Sequence, residues 1–161
     1  MKIDDFDRRL LNLVQRDASL TSEQLAEQVP LSPSAIQRRL KRLLQDGYIL
    51  GEAAIVDPRK VGHPMFFIVS LEVERERPEL LTKLKSWLLR EEVVQQTYYV
   101  TGSADFIIIL TAPNTDAFDV FMSSLLSDNP NVKRFTTNVA LDVVKRGMMV
   151  PVRLSGEGDG G

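Results

Sequence analysis

Apolar positions recur with a helical period over the first sixty residues and in short β-rich runs thereafter. Ile3, Phe6, Leu10, Leu13 and Val14 fall at 3.6-residue spacing and predict an amphipathic helix over residues 4–16. Thr21 or Ser22 suits the cap of a short second helix reaching Gln28, with Leu25 and Val29 inward. Ser32 followed by Pro33 marks the start of a third helix, because the N–H that proline lacks is not needed in a first turn. That helix ends near Gly47 and gathers Ile36, Leu40, Leu43 and Leu44 on one stripe. YILGEAAIV, which follows, predicts a short strand or wing.

Beyond Gly62 the period changes. MFFIVSLEVE (residues 65–74) reads as a strand, and RPELLTKLKSWLLR (77–90) as a helix with Leu80, Leu81, Leu84, Trp87 and Leu88 inward. VVQQTYYVT (93–101) and DFIIILTA (105–112) are strands joined by a tight Gly-Ser-Ala turn. TDAFDVFMSSLL (115–126) is a second helix, and KRFTTNVALDVVK (133–145) a last strand. The order βαββαβ is that of a ferredoxin-like unit, whose helices cover one face of an antiparallel sheet. Phe66 and Ile68 nevertheless make one face of the first strand apolar, while Phe67, Val69 and Leu71 do the same for the other. The face that the helices leave open therefore calls for a partner, most simply a second copy in a two-fold dimer.

Composition narrows the class. Of 161 residues, 43% are apolar and 26% charged, as in ordinary packed proteins. There is no cysteine, which excludes disulfides and thiolate metal sites and fits a reducing cytoplasm. No apolar run is long enough for a membrane span, and MKIDDFDRR has no signal-peptide core. The segment DPRKVGHP, with two prolines and a glycine, reads as a hinge. SGEGDGG at the carboxyl end has no apolar residue and predicts a disordered tail over 153–161.

Charge singles out one element. The whole chain has a formal net charge of −2, yet Arg38, Arg39, Lys41 and Arg42 crowd the third helix. Helical geometry turns Ser34, Arg38, Lys41 and Gln45 away from the apolar stripe, with Gln37 and Arg42 on the shoulders and Arg39 near the core edge. A short helix, the link VPL and a second helix bearing a cationic face have the dimensions of a helix-turn-helix. Arg38 and Gln37 have the bidentate chemistry for guanine and adenine edges, and Ser34 is short enough to reach a base edge or phosphate. Lys41 and Arg42 suit phosphates, and Thr21 and Ser22 offer hydroxyls and N–H groups at the start of the second helix. Ser32, Ala35 and Arg39 complete the candidate DNA-facing set.

These residues resemble the Lrp/AsnC family, the feast/famine transcription regulators. IDDFDRRLLNLVQRD is similar to its opening helix, and LTSEQLAEQVPLSPSAIQRRLKRLLQDGYI to its helix-turn-helix. LGEAAIVDPRKVG is similar to its linker strand, and VTGSADF to the loop motif of its regulatory domain. Pro30 stands where the family usually has glycine, and Ala104 where it often has an aromatic. The resemblance implies an α+β chain: an N-terminal winged helix-turn-helix domain (1–50), a linker strand and hinge (51–64) and a C-terminal ferredoxin-like effector-binding and dimerisation domain (65–152). It implies a sequence-specific regulator bound to double-stranded DNA, in the cytoplasm at the nucleoid. Homodimers would assemble into tetramers or octamers, with no cofactor, metal or membrane partner.

The family commonly holds an amino acid or related small molecule between dimers, beside a Gly-x-x-Asp loop. The matching positions are Gly102 and Asp105, with Ser103 and Ala104 between them, Thr101 before, and Thr136 and Thr137 on the last strand. A glycine turn exposes N–H groups to a carboxylate, and Asp105 suits an ammonium. Two other readings share the architecture: a sirohaem-decarboxylase-like enzyme, and an effector-binding co-assembly partner without operator specificity. The outward cationic helix separates both from the regulator. His63, the single histidine, lies in the hinge without the orienting partner and pocket that a catalytic base needs.

Overall fold

In the computed structural model, which describes residues 2–156, the chain forms two compact units. One comprises residues 2–54 together with 145–156, and the other is Ile55–Val144. The division differs from the expected one at the carboxyl end. Residues 145–152 group with the first unit, and Arg153–Gly156, expected to be disordered, are bonded to it as well. The remainder of the expected tail, 157–161, lies outside the described residues.

The first unit holds helices α1 (Asp5–Val14), α2 (Ser22–Ala26) and α3 (Pro33–Gln45). Each starts with a side-chain cap. Asp4 and Asp7 form a reciprocal capping box on α1, Thr21 and Gln24 do so on α2, and Ser32 caps α3 ahead of Pro33. Leu10, Leu25, Val29 and Ile36 form the core between them, with Phe6, Leu13, Val14 and Leu40 against it. Burying each such side chain stabilises the unit by about 1.5–3 kcal/mol. Leu44, expected inward, is 52% exposed, because its neighbour Leu43 already fills that turn of the helix. At Pro30, the Leu31 N–H donates to the Val29 carbonyl at 2.7 Å, a tight turn that needs no positive φ. Residues 51–56 form no strand, because no described strand lies alongside to give them a ladder.

The second unit opens with a short 3-10 turn, Pro58–Val61, capped by Asp57 and closed by Gly62 at φ 83°. Four strands, β1 (Met65–Val73), β2 (Val94–Tyr99), β3 (Phe106–Ala112) and β4 (Val132–Val139), form one antiparallel sheet in the order β2-β3-β1-β4. Helices α4 (Pro78–Leu88) and α5 (Thr115–Asp128) pack on it. The βαββαβ order and the sheet agree with the sequence pattern. Phe67, Val69 and Leu71 of β1 and Phe106, Ile108 and Leu110 of β3 meet Leu84, Trp87, Leu88, Phe118, Phe121 and Leu125 in one core. Phe67 stacks on Phe118 with ring centroids 4.0 Å apart, and Trp87 Nε1 donates to Asp128 at 2.9 Å. β4 stops at Val139 rather than continuing to residue 145. Its ladder with β1 ends at the Phe67–Val139 pair, and one further bond runs from the Ala140 N–H to the Phe66 carbonyl at 2.9 Å.

The opposite sheet face carries Ile68, Ile107, Ile109 and Tyr98, which lie on one side by register. Ile68 and Tyr98 are exposed and the two β3 isoleucines are half-buried. Phe66 on the same face is buried, so the exposure expected there is partial.

Candidate functional site

The outward face of α3 matches the pattern expected of it. Ser34, Gln37, Arg38, Lys41 and Gln45 are exposed, while Ile36 and Leu43 are fully buried on the other side. Arg38 and Lys41 meet no acid among the described residues. Ala35 is half-buried, and the Ser32 hydroxyl is engaged, accepting from the Ala35 N–H at 3.3 Å and lying 3.2 Å from the Ser34 hydroxyl.

The other two arginines do something else. Arg39 Nη1 donates to Asp7 at 2.8 Å and to Asp4 at 2.7 Å, and its guanidinium lies 5.6 Å from the Phe6 ring centre. Arg42 Nη2 donates to both Asp7 oxygens at 2.9 and 2.8 Å. The Asp7 side chain is only 1% exposed, so this is a buried carboxylate neutralised by two cations. Hydrogen bonds from Arg39 to Asp7 and Asp4 raise the arginine's pKa further, and it stays charged. Arg39 and Arg42 were expected to face DNA. In the structure both join α3 to α1, because a buried acid left without its cations would be far costlier than a lost surface contact.

Thr21 caps α2, as expected. The Thr21 N–H is bonded to the Gln24 side chain at 2.9 Å, and the Thr21 hydroxyl accepts from the Gln24 N–H at 3.3 Å. The capping box uses the Thr21 N–H and the acceptor side of its hydroxyl. Thr21 remains exposed and Ser22 is half-buried.

The effector residues are brought together only in part. Thr101, Gly102 and Ser103 are exposed in a loop longer than the expected three-residue turn, closed by a Val100 N–H bond to the Asp105 carbonyl at 2.8 Å. Gly102 has φ 118°, which a side chain would strain. Asp105 Oδ2 accepts from the Val73 N–H at 2.7 Å, and its own N–H donates to the Leu71 carbonyl, so this residue pins the loop to β1. Among the described residues nothing donates to its other carboxylate oxygen. Ala104 is half-buried beside it. Thr136 and Thr137 do not act as a pair, because successive strand residues point to opposite faces. Thr136 lies opposite Ser70 on the exposed sheet face. Thr137 lies opposite Val69 on the helix-covered side, where its hydroxyl is buried without a partner.

The ligand-binding domain of the Lrp/AsnC family matches residues 67–150, and a winged helix-turn-helix DNA-binding family matches residues 3–49. The chain belongs to the Lrp/AsnC family. It is a DNA-binding transcriptional regulator of Lrp/AsnC type. It is 43% identical over 154 residues to an uncharacterized HTH-type transcriptional regulator, y4tD, of Sinorhizobium fredii, covering 96% of this chain and 91% of that one. It is 27% identical to the DNA-binding transcriptional activator DecR of Escherichia coli, covering 93% and 99%. Among solved structures, an AsnC family regulator from Agrobacterium tumefaciens superposes with a TM-score of 0.87 at 25% identity, covering 92% and 97%. The fold is also that of a Neisseria meningitidis regulator solved with L-methionine, with a TM-score of 0.86 at 24% identity, covering 93% and 97%.

For this Lrp/AsnC chain the residues that sequence reasoning missed are Asp4 and Asp7. The signal was present. Asp7 falls four residues after Ile3 and three before Leu10, on the apolar stripe itself. An acid at such a position must be paired, and the crowded cations of α3 are the available partners.

Proposed function

We propose that this regulator reads duplex DNA with the exposed face of α3. Arg38, Gln37 and Ser34 are directed to base edges, and Lys41 to phosphate. One observation carries the reading: of the four cations on α3, two are held by a buried acid and two are left facing outward without one. A helix held that firmly can present a fixed pair of cations to the major groove. Two copies joined through the apolar sheet face around Ile68 and Ile109 would supply two such helices for a pseudo-palindromic site. A small-molecule effector of the amino-acid class is assigned to the 101–105 loop, with Gly102 and Ser103 N–H groups for its carboxylate and the remaining Asp105 oxygen for its ammonium. It regulates only by binding one arrangement of the protein better than another.

The test is binding to the DNA upstream of the protein's own gene against a scrambled duplex, over a salt series. Arg38→Ala should cost about 1–3 kcal/mol on the specific duplex and relax one base position. Lys41→Ala should weaken both duplexes alike and lower the salt slope by about one. Unchanged affinity in Arg38→Ala would remove α3's face from the interface.

A further inference from the structure

The chain leaves the first unit at Ala54 and returns to it at Lys145. What it does on return is specific. Gln15 at the end of α1 donates to the Val150 carbonyl at 3.0 Å and accepts from the Val150 N–H at 2.8 Å. Asn12 treats Val152 the same way, at 2.7 and 3.2 Å. Arg8 donates to the Arg153 carbonyl at 2.9 Å, and Asp5 accepts from the Ser155 N–H at 2.7 Å. Side chains of one helix thus bond the backbone of an extended segment as a neighbouring strand would. The spacing fits: the ten helical rises from Asp5 to Gln15 span about 15 Å, and the five extended rises from Val150 to Ser155 about 16.5 Å. Val152 and Leu154 line a cleft of about 260 Å³ with Arg9, Asn12, Leu13, Arg16 and Gln28.

The contact is ordered but lightly built. Val150 is 61% exposed, and Val152 and Leu154 are only half-buried. Residues 140–149, which lead to it from β4, belong to no helix or strand. Polar bonds near the surface, each of modest net value against water, hold the segment in place. Such a contact forms and breaks as a unit without unfolding either body.

We propose that the face of α1 bearing Asp5, Arg8, Asn12 and Gln15 is a docking site for residues 150–155, and that the docked strap holds α1, and through Asp7 the DNA-reading helix α3, in its binding form. The strap is covalently continuous with the effector-binding unit through residues 140–149. With it docked, the two units are tethered twice; released, they are tethered once, through residues 51–64. α1 has ten residues, below the length at which a helix is stable alone in water. It is held on one side by the Asp7 pairs and on another by the strap. This coupling rests on the DNA-reading role proposed for α3.

The test uses the full-length protein in two uncharged variants, Asn12→Ala/Gln15→Ala and Val152→Pro. The second leaves α1 intact and acts on the strap alone, removing the N–H that Asn12 accepts and the valine side chain that lines the cleft. Amide exchange at Val150 and Ser155 reports docking, and binding to operator and scrambled duplex reports coupling. Both variants should raise exchange at 150–155 at least about tenfold. They should also weaken operator binding about threefold to tenfold with the salt slope unchanged, since no phosphate-facing cation is lost. Trp87 emission should stay as in the wild type. Strap amides that exchange in the wild type as fast as in a free peptide would overturn the docking site. A released strap with operator affinity within about twofold of wild type would overturn the coupling. A wild type that does not prefer the operator would instead overturn the DNA reading and the coupling with it, while exchange still decides the docking site.

Discussion

Replacing Asp7 by alanine is the sharpest perturbation of the first unit. The carboxylate is 1% exposed and accepts from Arg39, twice from Arg42, and from the Asp4 N–H at 3.1 Å. Alanine removes all of these, leaving Arg39 with Asp4 and Arg42 with no acid among the described residues. Breaking a buried pair from one side costs about 3–5 kcal/mol. Here the Arg39 and Arg42 side chains are 22% and 37% exposed, so water recovers part of the loss. About 2–3 kcal/mol is therefore expected. In a unit of this size that lowers the melting temperature by about 10–20 °C. The two units can be followed separately. Trp87 is the single tryptophan and lies in the second unit, whereas far-UV circular dichroism sees the helices of both. Helical signal should melt early while Trp87 emission keeps its wild-type midpoint. A double-mutant cycle with Arg42→Ala isolates the pair, and its coupling should exceed about 1 kcal/mol. An unchanged helical midpoint, or coupling near zero, would refute the claim that Asp7 anchors α3.

Other consequences follow from the same geometry. Ile68→Lys places a charge on the apolar sheet face; it should weaken self-association about tenfold or more without moving the Trp87 midpoint, and sedimentation at wild-type mass would exclude that face as the dimer contact. Asp5 has its pKa held below the ordinary carboxylate value by hydrogen bonds from Ser155, with Arg8 and Arg9 adding to it. Burial pushes Asp4 up, but the Asp7 N–H and Arg39 outweigh it and leave the pKa lowered. Both acids hold protons more tightly when unfolded. Their contribution is present above the unfolded value and is lost as pH falls through the lower folded values. The helix melting temperature of the first unit should therefore begin to fall below about pH 4, with the protection of the Ser155 amide, relative to a free peptide at the same pH, falling over the same range; a flat profile there would contradict it.

Much of this protein was legible in its residues because the controlling physics is local. Thr21, and Ser32 with Pro33, cap helices by the chemistry of adjacent backbone groups, and a period of 3.6 or 2 follows from how side chains leave a helix or a strand. The outward placement of Ser34, Arg38, Lys41 and Gln45 follows from the same arithmetic. The family motifs, too, are runs of sequence. What tertiary structure alone decided depends on partners distant along the chain. Helical spacing set Arg39 near the core edge and Arg42 on a shoulder, but their shared partner Asp7 lies more than thirty residues earlier and only packing places it against them. Thr136 and Thr137 are separated by the sheet itself. The path of residues 150–155 is set by Asn12 and Gln15, more than 130 residues away. Sequence spacing determines which way a side chain points along its own element. Only the packed chain determines what it meets there, because burial and pairing are properties of two surfaces and not of one.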